Sequence, residues 1–187
     1  MKMIEKTNLY LTIYQDIQDA CAELKQETLG QHLQIIGLGL VEDLCGYFVV
    51  GMTLEEFSQF DQELIWFISE WSIEASHNNH VHQQIQRLYE QLGEEYTEEQ
   101  YIELRQHYQN TIIQVLQDLR KEGKLQNQQG DEMIFILQYA DAFDEDFEEI
   151  SFVQINPSEY ISLFSQRFKQ KKGENLHDFL LEKYKNL

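Results

Sequence analysis

The chain has 187 residues, 33 Asp and Glu against 14 Lys and Arg, and a formal net charge of −19. Hydrophobic residues make up 42% and there is only one proline, which excludes a disordered or collagen-like chain and fits a single domain over residues 1–187. A field this negative repels phosphate backbones and anionic lipids, so we expect neither a nucleic-acid partner nor a membrane partner.

The cysteine content and the apolar runs favour a cytoplasmic location. Cys21 and Cys45 are too few for a disulfide framework, and no Cys-x-x-Cys pair occurs. The start of the sequence lacks the continuous apolar stretch of an export signal. The longest apolar runs, near residues 35–41 and 47–52, are too short to span a bilayer.

The first third of the chain predicts a helix followed by a hairpin. Apolar residues recur at helical spacing from about Asn8 to Glu27, and Gly30 ends the helix. The apolar segments 33–41 and 46–52 are separated by the polar turn Glu42-Asp43, which predicts an antiparallel pair of strands.

Three local signals follow. Gly37 and Gly39 interrupt the first strand and indicate a bulge or a close backbone approach; they lack the third glycine and helix start of a dinucleotide-binding loop. Thr53 begins a capping box and therefore a helix. The aromatic segment 63–71 is predicted to be a strand or a packed extended loop.

The central helix is the element that the sequence marks most clearly. Thr97-x-x-Gln100 is a capping box, and an apolar stripe continues from Thr97 to Glu122, where Gly123 follows. A shorter helix over Val81–Leu92 is predicted to precede it, after an irregular polar segment.

The last third predicts two strands and two helices. Met133–Tyr139 and Phe152–Ile155 are predicted strands, and Asn156-Pro157 is a helix start with Asn as its cap. A short helix is predicted within residues 175–187. These elements predict an α+β fold: an antiparallel sheet of four to five strands, covered by helices on one face, with a long central helix.

Three histidines within six residues form the first candidate site. His77, His80 and His82 are able to chelate Zn²⁺ or Ni²⁺, and Glu70 or Glu74 is the nearest carboxylate for a further ligand. Their spacing matches no established site, so a solvated loop with incidental histidines is the alternative interpretation.

An acidic segment late in the chain is the second candidate. Asp141, Asp144 and Asp146 lie in a run of carboxylates that lacks the alternation and central glycine of an EF-hand. One interpretation is a solvated turn between two strands. The other is a recognition surface for a basic partner, in which Phe143 and Phe147 are apolar anchors.

The distribution of charge supports such a surface. Residues 26–86 contain no Lys or Arg, and Glu42, Asp43 and Glu70 lie in that interval. Basic residues concentrate instead after Arg167. A patch of carboxylates of this kind attracts a cationic protein, although a simple contribution to solubility is the alternative.

Two tryptophans flank one of these carboxylates. Trp66 and Trp71 near Glu70 are interpreted either as half-buried scaffold or as the wall of a ligand pocket, with Tyr139 as a third wall residue. The remaining histidines, His32 among them, are predicted to lie on the surface.

The order of these segments resembles a known family. The hairpin that ends in Thr53, the Glu70-Trp71 pair, the long central helix, the strand MIFILQYAD and the Ile155-Asn156-Pro157 helix start resemble an uncharacterised bacterial family, domain of unknown function 4303. The resemblance covers roughly residues 9–168. It implies a compact α+β domain and supplies no activity, cofactor or catalytic residue.

Two functional hypotheses follow. No Gly-x-Ser-x-Gly and no recognisable catalytic cysteine occur, which favours a non-enzyme without a cofactor. The first hypothesis is an acidic protein-binding module that captures a basic partner and is similar in kind to immunity proteins. The second is a metal-binding protein or metal-dependent enzyme that uses the His77–His82 segment.

Overall fold

The structure is a computed structural model that describes residues 8–41, 44, 46–60, 64–76, 80–93, 95–140, 142, 144–168 and 174–185. The helices of these residues are α1 (Asn8–Glu27), α2 (Leu54–Phe57), α3 (Val81–Leu92), α4 (Glu98–Lys121), α5 (Glu145–Ile155), α6 (Ser158–Phe164) and α7 (Leu176–Lys183). The strands are β1 (Leu33–Leu40), β2 (Tyr47–Thr53), β3 (Ile73–Glu74) and β4 (Ile134–Tyr139). Two short 3₁₀ helices, Leu64–Trp66 and Ile68–Glu70, lie between α2 and β3.

The strands form a four-stranded sheet in the order β3-β2-β1-β4. The predicted hairpin of β1 and β2 is confirmed, and β3 continues the antiparallel pairing along β2. β4 instead runs parallel to β1, so the sheet is mixed. The long connection through α3 and α4 allows this parallel return, which a tight hairpin does not. The α+β class and the long central helix are confirmed.

Helices cover both faces of the sheet rather than one face as predicted. Ile36 and Leu38 of β1 belong to a core with α1, α3 and α4. Ile35 points to the opposite face, into a second core with α2, the 3₁₀ helices, α6 and α7. All eight residues of β1 are buried, as expected for a strand that is packed on both faces.

The central helix begins with the predicted capping box. The Thr97 side chain accepts a hydrogen bond from the Gln100 backbone N–H, and the Gln100 side chain accepts one from the Thr97 backbone N–H. The helix packs along α1, where the Tyr10 hydroxyl donates to Asp118 Oδ2 over 2.8 Å. Among the residues that the structure describes, no helix has both the length and the apolar character needed to cross a membrane.

The strand predicted over Phe152–Ile155 is wrong, because these residues are the last turn of α5. Asp144 caps this helix by accepting a hydrogen bond from the Phe147 N–H over 3.1 Å. Glu145 and Asp146 then occupy its first turn, where the helix dipole favours negative charge. From Asp144 onward the acidic segment is therefore a helix start and not a turn between strands.

Asn156 does not cap α6 as predicted. Its side chain reaches the free edge of β4, where Oδ1 accepts from the Phe135 N–H (2.8 Å) and Nδ2 donates to the Phe135 carbonyl (2.7 Å). At this one residue of the free sheet edge, the asparagine side chain makes the two backbone hydrogen bonds that a neighbouring strand would otherwise make. α6 begins directly after Pro157, as the Pro signal predicted.

The segment predicted as a strand or an extended loop forms the two 3₁₀ helices. The Trp71 indole N–H donates to the Ile65 carbonyl over 2.9 Å and holds the segment in a compact turn. Ile68 then packs directly over β1: a Cβ atom placed on Gly37 would lie 2.8 Å from Ile68 Cγ2. A bulge and a close approach to the backbone were the two alternatives predicted for Gly37, and the structure has the close approach, which the Ile68 side chain makes.

Candidate functional site

Several predicted site residues lie outside the described residues. These are Glu42, Asp43, His77, Asp141 and Phe143.

The two tryptophans belong to the hydrophobic core. Trp66 and Trp71 are 2% and 6% exposed, and both lie in the core below the sheet. Tyr139 belongs to the core on the opposite face, so the three aromatic side chains do not line a common pocket. Glu70 is exposed at the end of the second 3₁₀ helix.

One of the predicted carboxylates at the start of α5, Asp144, has structural partners. Asp144 caps the helix and also forms an ion pair with Arg105, whose Nη2 lies 3.2 Å from Asp144 Oδ2. Phe147 is buried beside Tyr139, with ring centroids 5.6 Å apart. Asp146 is exposed. Asp144 and Phe147 therefore stabilise the fold, and Phe147 is buried and does not serve as an exposed apolar anchor.

The predicted histidine site is only partly described. His80 Nδ1 lies 3.0 Å from Oδ1 of Asp16, a buried side chain of α1, and the His80 backbone N–H donates to the same carboxylate. His82 is exposed on α3. Within the described part of the chain no three potential metal ligands cluster. Because His77 lies outside that part, the metal hypothesis stays a prediction.

An acidic cavity of about 650 Å³ lies between the end of α1, the start of α2 and β3. Four carboxylates surround it, and they belong to Glu27, Glu55, Glu56 and Glu74. The other lining residues are mostly polar and comprise Thr28, Gln31, Thr53, Gln59, Ser72 and Ile73. We call this feature the acidic cavity.

Local hydrogen bonds position two of the carboxylates. The His32 backbone N–H donates to both oxygens of Glu55, at 3.1 and 3.3 Å. The His32 side chain is buried, not on the surface as predicted. The Glu56 backbone N–H donates to the Thr53 hydroxyl at the start of α2, and the Glu56 Oε1 accepts a hydrogen bond from the Ser72 hydroxyl, so the side chain does not complete the predicted capping box. Its Oε2 is buried and has no hydrogen-bond partner among the described side chains and backbone. Both glutamates lie in the first turn of α2, and these hydrogen bonds hold their side chains at the cavity.

No cation neutralises the acidic cavity from within the described residues. None of the ion pairs found there involves Glu27, Glu55, Glu56 or Glu74. Like charges that share a concave surface repel one another and concentrate negative potential there. The cavity is therefore suited to receive a positively charged group.

The sequence indicated the region of this site but not its residues. The absence of Lys and Arg from residues 26–86 marks the interval that supplies all four glutamates. Glu70, the one carboxylate of that interval that was predicted for the binding surface and has a described position, does not line the cavity. The Thr53 cap was a usable signal for the start of α2, which carries Glu55 and Glu56. No local sequence pattern indicates that Glu27 and Glu74 lie at the same cavity.

Comparisons with known proteins add no relative. No protein-family model matches the chain, and neither a curated protein nor a solved structure matches it. The resemblance to domain of unknown function 4303 therefore stays a prediction.

Proposed function

We propose that this protein is an acidic binding module that captures a basic protein partner, and that the acidic cavity receives cationic side chains of that partner. One observation carries the proposal. Four glutamate carboxylates surround a cavity of about 650 Å³, and no cation among the described residues pairs with them. In kind, such a module is similar to an immunity protein that neutralises a basic toxin.

Charge complementarity is the physical basis. A net charge of −19 increases the rate at which a cationic protein associates with this chain. The acidic cavity then provides a defined place at which the cationic side chains bind. An Arg guanidinium offers five donors in a planar fork that matches carboxylate oxygens. Two of the carboxylates, on Glu55 and Glu56, are already held by hydrogen bonds, which lowers the entropy cost of pairing.

The other two carboxylates allow a clean test. Glu27 and Glu74 are exposed, and no hydrogen bond within the described residues uses their side chains. The variant Glu27→Gln/Glu74→Gln therefore removes two charges from the cavity without removing a structural contact. The matched control is Glu95→Gln/Glu103→Gln, which makes the same change of net charge at exposed positions outside the cavity.

Binding of a fluorescein-labelled hexa-arginine peptide, followed by anisotropy at about 0.15 M salt, distinguishes the two variants. We expect the cavity variant to bind at least about fivefold more weakly than the control, which corresponds to roughly 1 kcal/mol. Equal weakening in both variants would show that only net charge matters and would contradict the proposal.

A further inference from the structure

A groove with a cavity of about 310 Å³ lies between α4 and α5. Its apolar lining consists of Ile102, Ile113, Phe147 and Ile150. Glutamine and asparagine side chains of both helices provide most of the polar lining. A hydrogen bond from Gln117 Nε2 to the Gln154 carbonyl, over 3.0 Å, joins the two helices beside it. We call this feature the α4–α5 groove.

The outward face of α5 is apolar beside this groove. Ile150 and Val153 lie one turn apart and are 57% and 51% exposed, and Ile102 of α4 is 45% exposed. The inward face of α5 is apolar as well, with Phe152 and Ile155 buried. A surface helix normally carries polar residues on its outer side, whereas a helix that is apolar on both sides is normally covered on both. The exposed face of α5 therefore has the composition of an interface.

The groove is uncharged overall, although the chain carries a net charge of −19. Arg105 and Asp144 are the charged members of its described lining, and they pair with each other over 3.2 Å. Glu149 of α5 pairs in turn with Arg167 over 3.4 Å. A cationic partner therefore has no uncompensated carboxylate to bind among the described lining residues. A second copy of this chain, which has the same negative charge, meets the least repulsion at a surface of this kind.

The shape of the groove also suits a second copy. One patch carries both a projecting apolar side chain, Ile150, and a cavity whose wall includes the buried Ile113 and Phe147. In a two-fold interface the same patch contacts itself, so a projection and a cavity on one patch are complementary. Carboxamide side chains both donate and accept hydrogen bonds, and identical ones are therefore able to pair across the axis.

We propose that the α4–α5 groove is the interface of a two-fold symmetric homodimer. Ile150 of each chain enters the cavity of the other, and Val153 packs beside it. Because Ile150 itself lines the cavity, the two Ile150 side chains meet near the axis. The proposal does not rest on the acidic cavity, since no described residue lines both features.

The first experiment is sedimentation equilibrium of the untagged chain at about 0.05 and about 0.5 M sodium chloride. We expect a monomer–dimer equilibrium with a dissociation constant on the order of 10 μM, as for a small interface. The dimer is expected to become tighter at the higher salt concentration, because salt screens the repulsion between two acidic chains. A monomer at every concentration up to about 0.5 mM would assign the groove to a partner of different sequence and overturn the proposal. A dimer that weakens with salt would place the contact on charged surfaces and would also overturn it.

Charge variants at Ile150 locate the contact. Ile150→Glu and Ile150→Lys each place two like charges near the axis, and each is expected to weaken the dimer at least about tenfold. An equimolar mixture of the two variants is expected to associate again, because Glu then faces Lys. Leu29→Glu is the control, since Leu29 is 62% exposed and does not line the groove; it is expected to dimerise like the unmodified chain.

Circular dichroism and urea midpoints establish that each variant is folded, which we expect because Ile150 is exposed. Unchanged dimerisation of folded Ile150→Glu would overturn the proposal, as would an equal loss in Leu29→Glu. A mixture of the two Ile150 variants that stays monomeric would contradict the two-fold arrangement.

Discussion

Arg167 Nη2 lies 3.2 Å from Glu148 Oε2, and the two side chains are only 1% and 2% exposed. Gln138 of β4 donates to the other oxygen of Glu148 and to the Trp66 carbonyl, so the pair belongs to a network that joins α5, the sheet and the 3₁₀ helices. Burial raises the pKa of Glu148, while the hydrogen bond from Gln138 and the charge of Arg167 act in the opposite direction. These two opposite charges compensate each other inside the fold, so they do not contribute to the negative electrostatic potential at the surface.

Removal of one member of this pair is expected to be strongly destabilising. Glu148→Ala leaves the Arg167 guanidinium buried with a weaker partner, and we expect a loss of about 3–5 kcal/mol in the free energy of unfolding. Urea denaturation measures it. Glu149→Ala is the control, because that carboxylate is 42% exposed and lies 3.4 Å from the same guanidinium; its expected cost is below about 1 kcal/mol. Similar losses in the two variants would argue against the buried pair.

Asn156 gives a second stability prediction. Asn156→Ala removes both hydrogen bonds to the Phe135 backbone and leaves a buried N–H and C=O without partners. We expect a loss of about 2–4 kcal/mol. Asn110→Ala, at an exposed position of α4, is the control and is expected to change stability by less than about 0.5 kcal/mol. Amide hydrogen exchange at Phe135 adds a local measurement. If the Phe135 amide stays protected from exchange in Asn156→Ala, the Asn156 side chain is not its hydrogen-bond acceptor.

Gly39 and Phe48 are expected to be coupled. A Cβ atom on Gly39 would lie 2.0 Å from Phe48 Cζ, so the ring covers the glycine on the neighbouring strand. We expect Gly39→Ala to cost about 1–3 kcal/mol. In a Phe48→Leu background the shorter side chain leaves room for the methyl group, and the cost is expected to fall by at least about half. Additive losses in this double-mutant cycle would contradict the contact.

Tyrosines that are fully or partly buried predict a loss of stability in alkali. Burial raises the pKa of Tyr184 to about 12 and raises those of Tyr47 and Tyr108 well above their ordinary value. A group whose pKa is raised on folding stabilises the fold below its unfolded pKa, near 10, and this contribution is lost as the pH rises toward the folded value. Urea midpoints should therefore fall steeply above about pH 10.

Tyr108→Phe tests this linkage at one position. The Tyr108 hydroxyl is buried and has no hydrogen-bond partner among the described residues. We expect the variant to be more stable by about 1 kcal/mol at neutral pH and to show a shallower alkaline loss. A phenol absorbance titration that reaches completion near the ordinary tyrosine pKa, with the fold intact, would contradict the account.

Local sequence signals were sufficient where they agreed with one another. For α4, the capping box at Thr97, the apolar stripe and Gly123 all indicate the same boundaries, and the structure has them within one residue. The segment Phe152–Ile155 was predicted as a strand because a short apolar run does not distinguish a strand from one turn of a helix. The residue that caps the helix, Asp144, lies eight residues before Phe152. It belongs to a run of acidic residues whose composition is equally typical of a solvated turn.

The sites depend on contacts that no local pattern contains. Glu27 and Glu74 meet at one cavity because β3 pairs with β2 and returns the chain beside the end of α1. Glu148 pairs with Arg167, which lies 19 residues later and beyond the end of α6. The sequence alone does not indicate that either charge is buried, since burial of a charge becomes visible only with its partner.

The most direct test of the central claim is the salt dependence of association. Stopped-flow rates for the labelled hexa-arginine peptide, taken from about 0.05 to about 0.3 M salt, give the slope of log rate against log salt. The account predicts a steep negative slope for the unmodified chain and for Glu95→Gln/Glu103→Gln, and a clearly shallower slope for Glu27→Gln/Glu74→Gln. Indistinguishable slopes in the two variants would contradict a specific role of the acidic cavity.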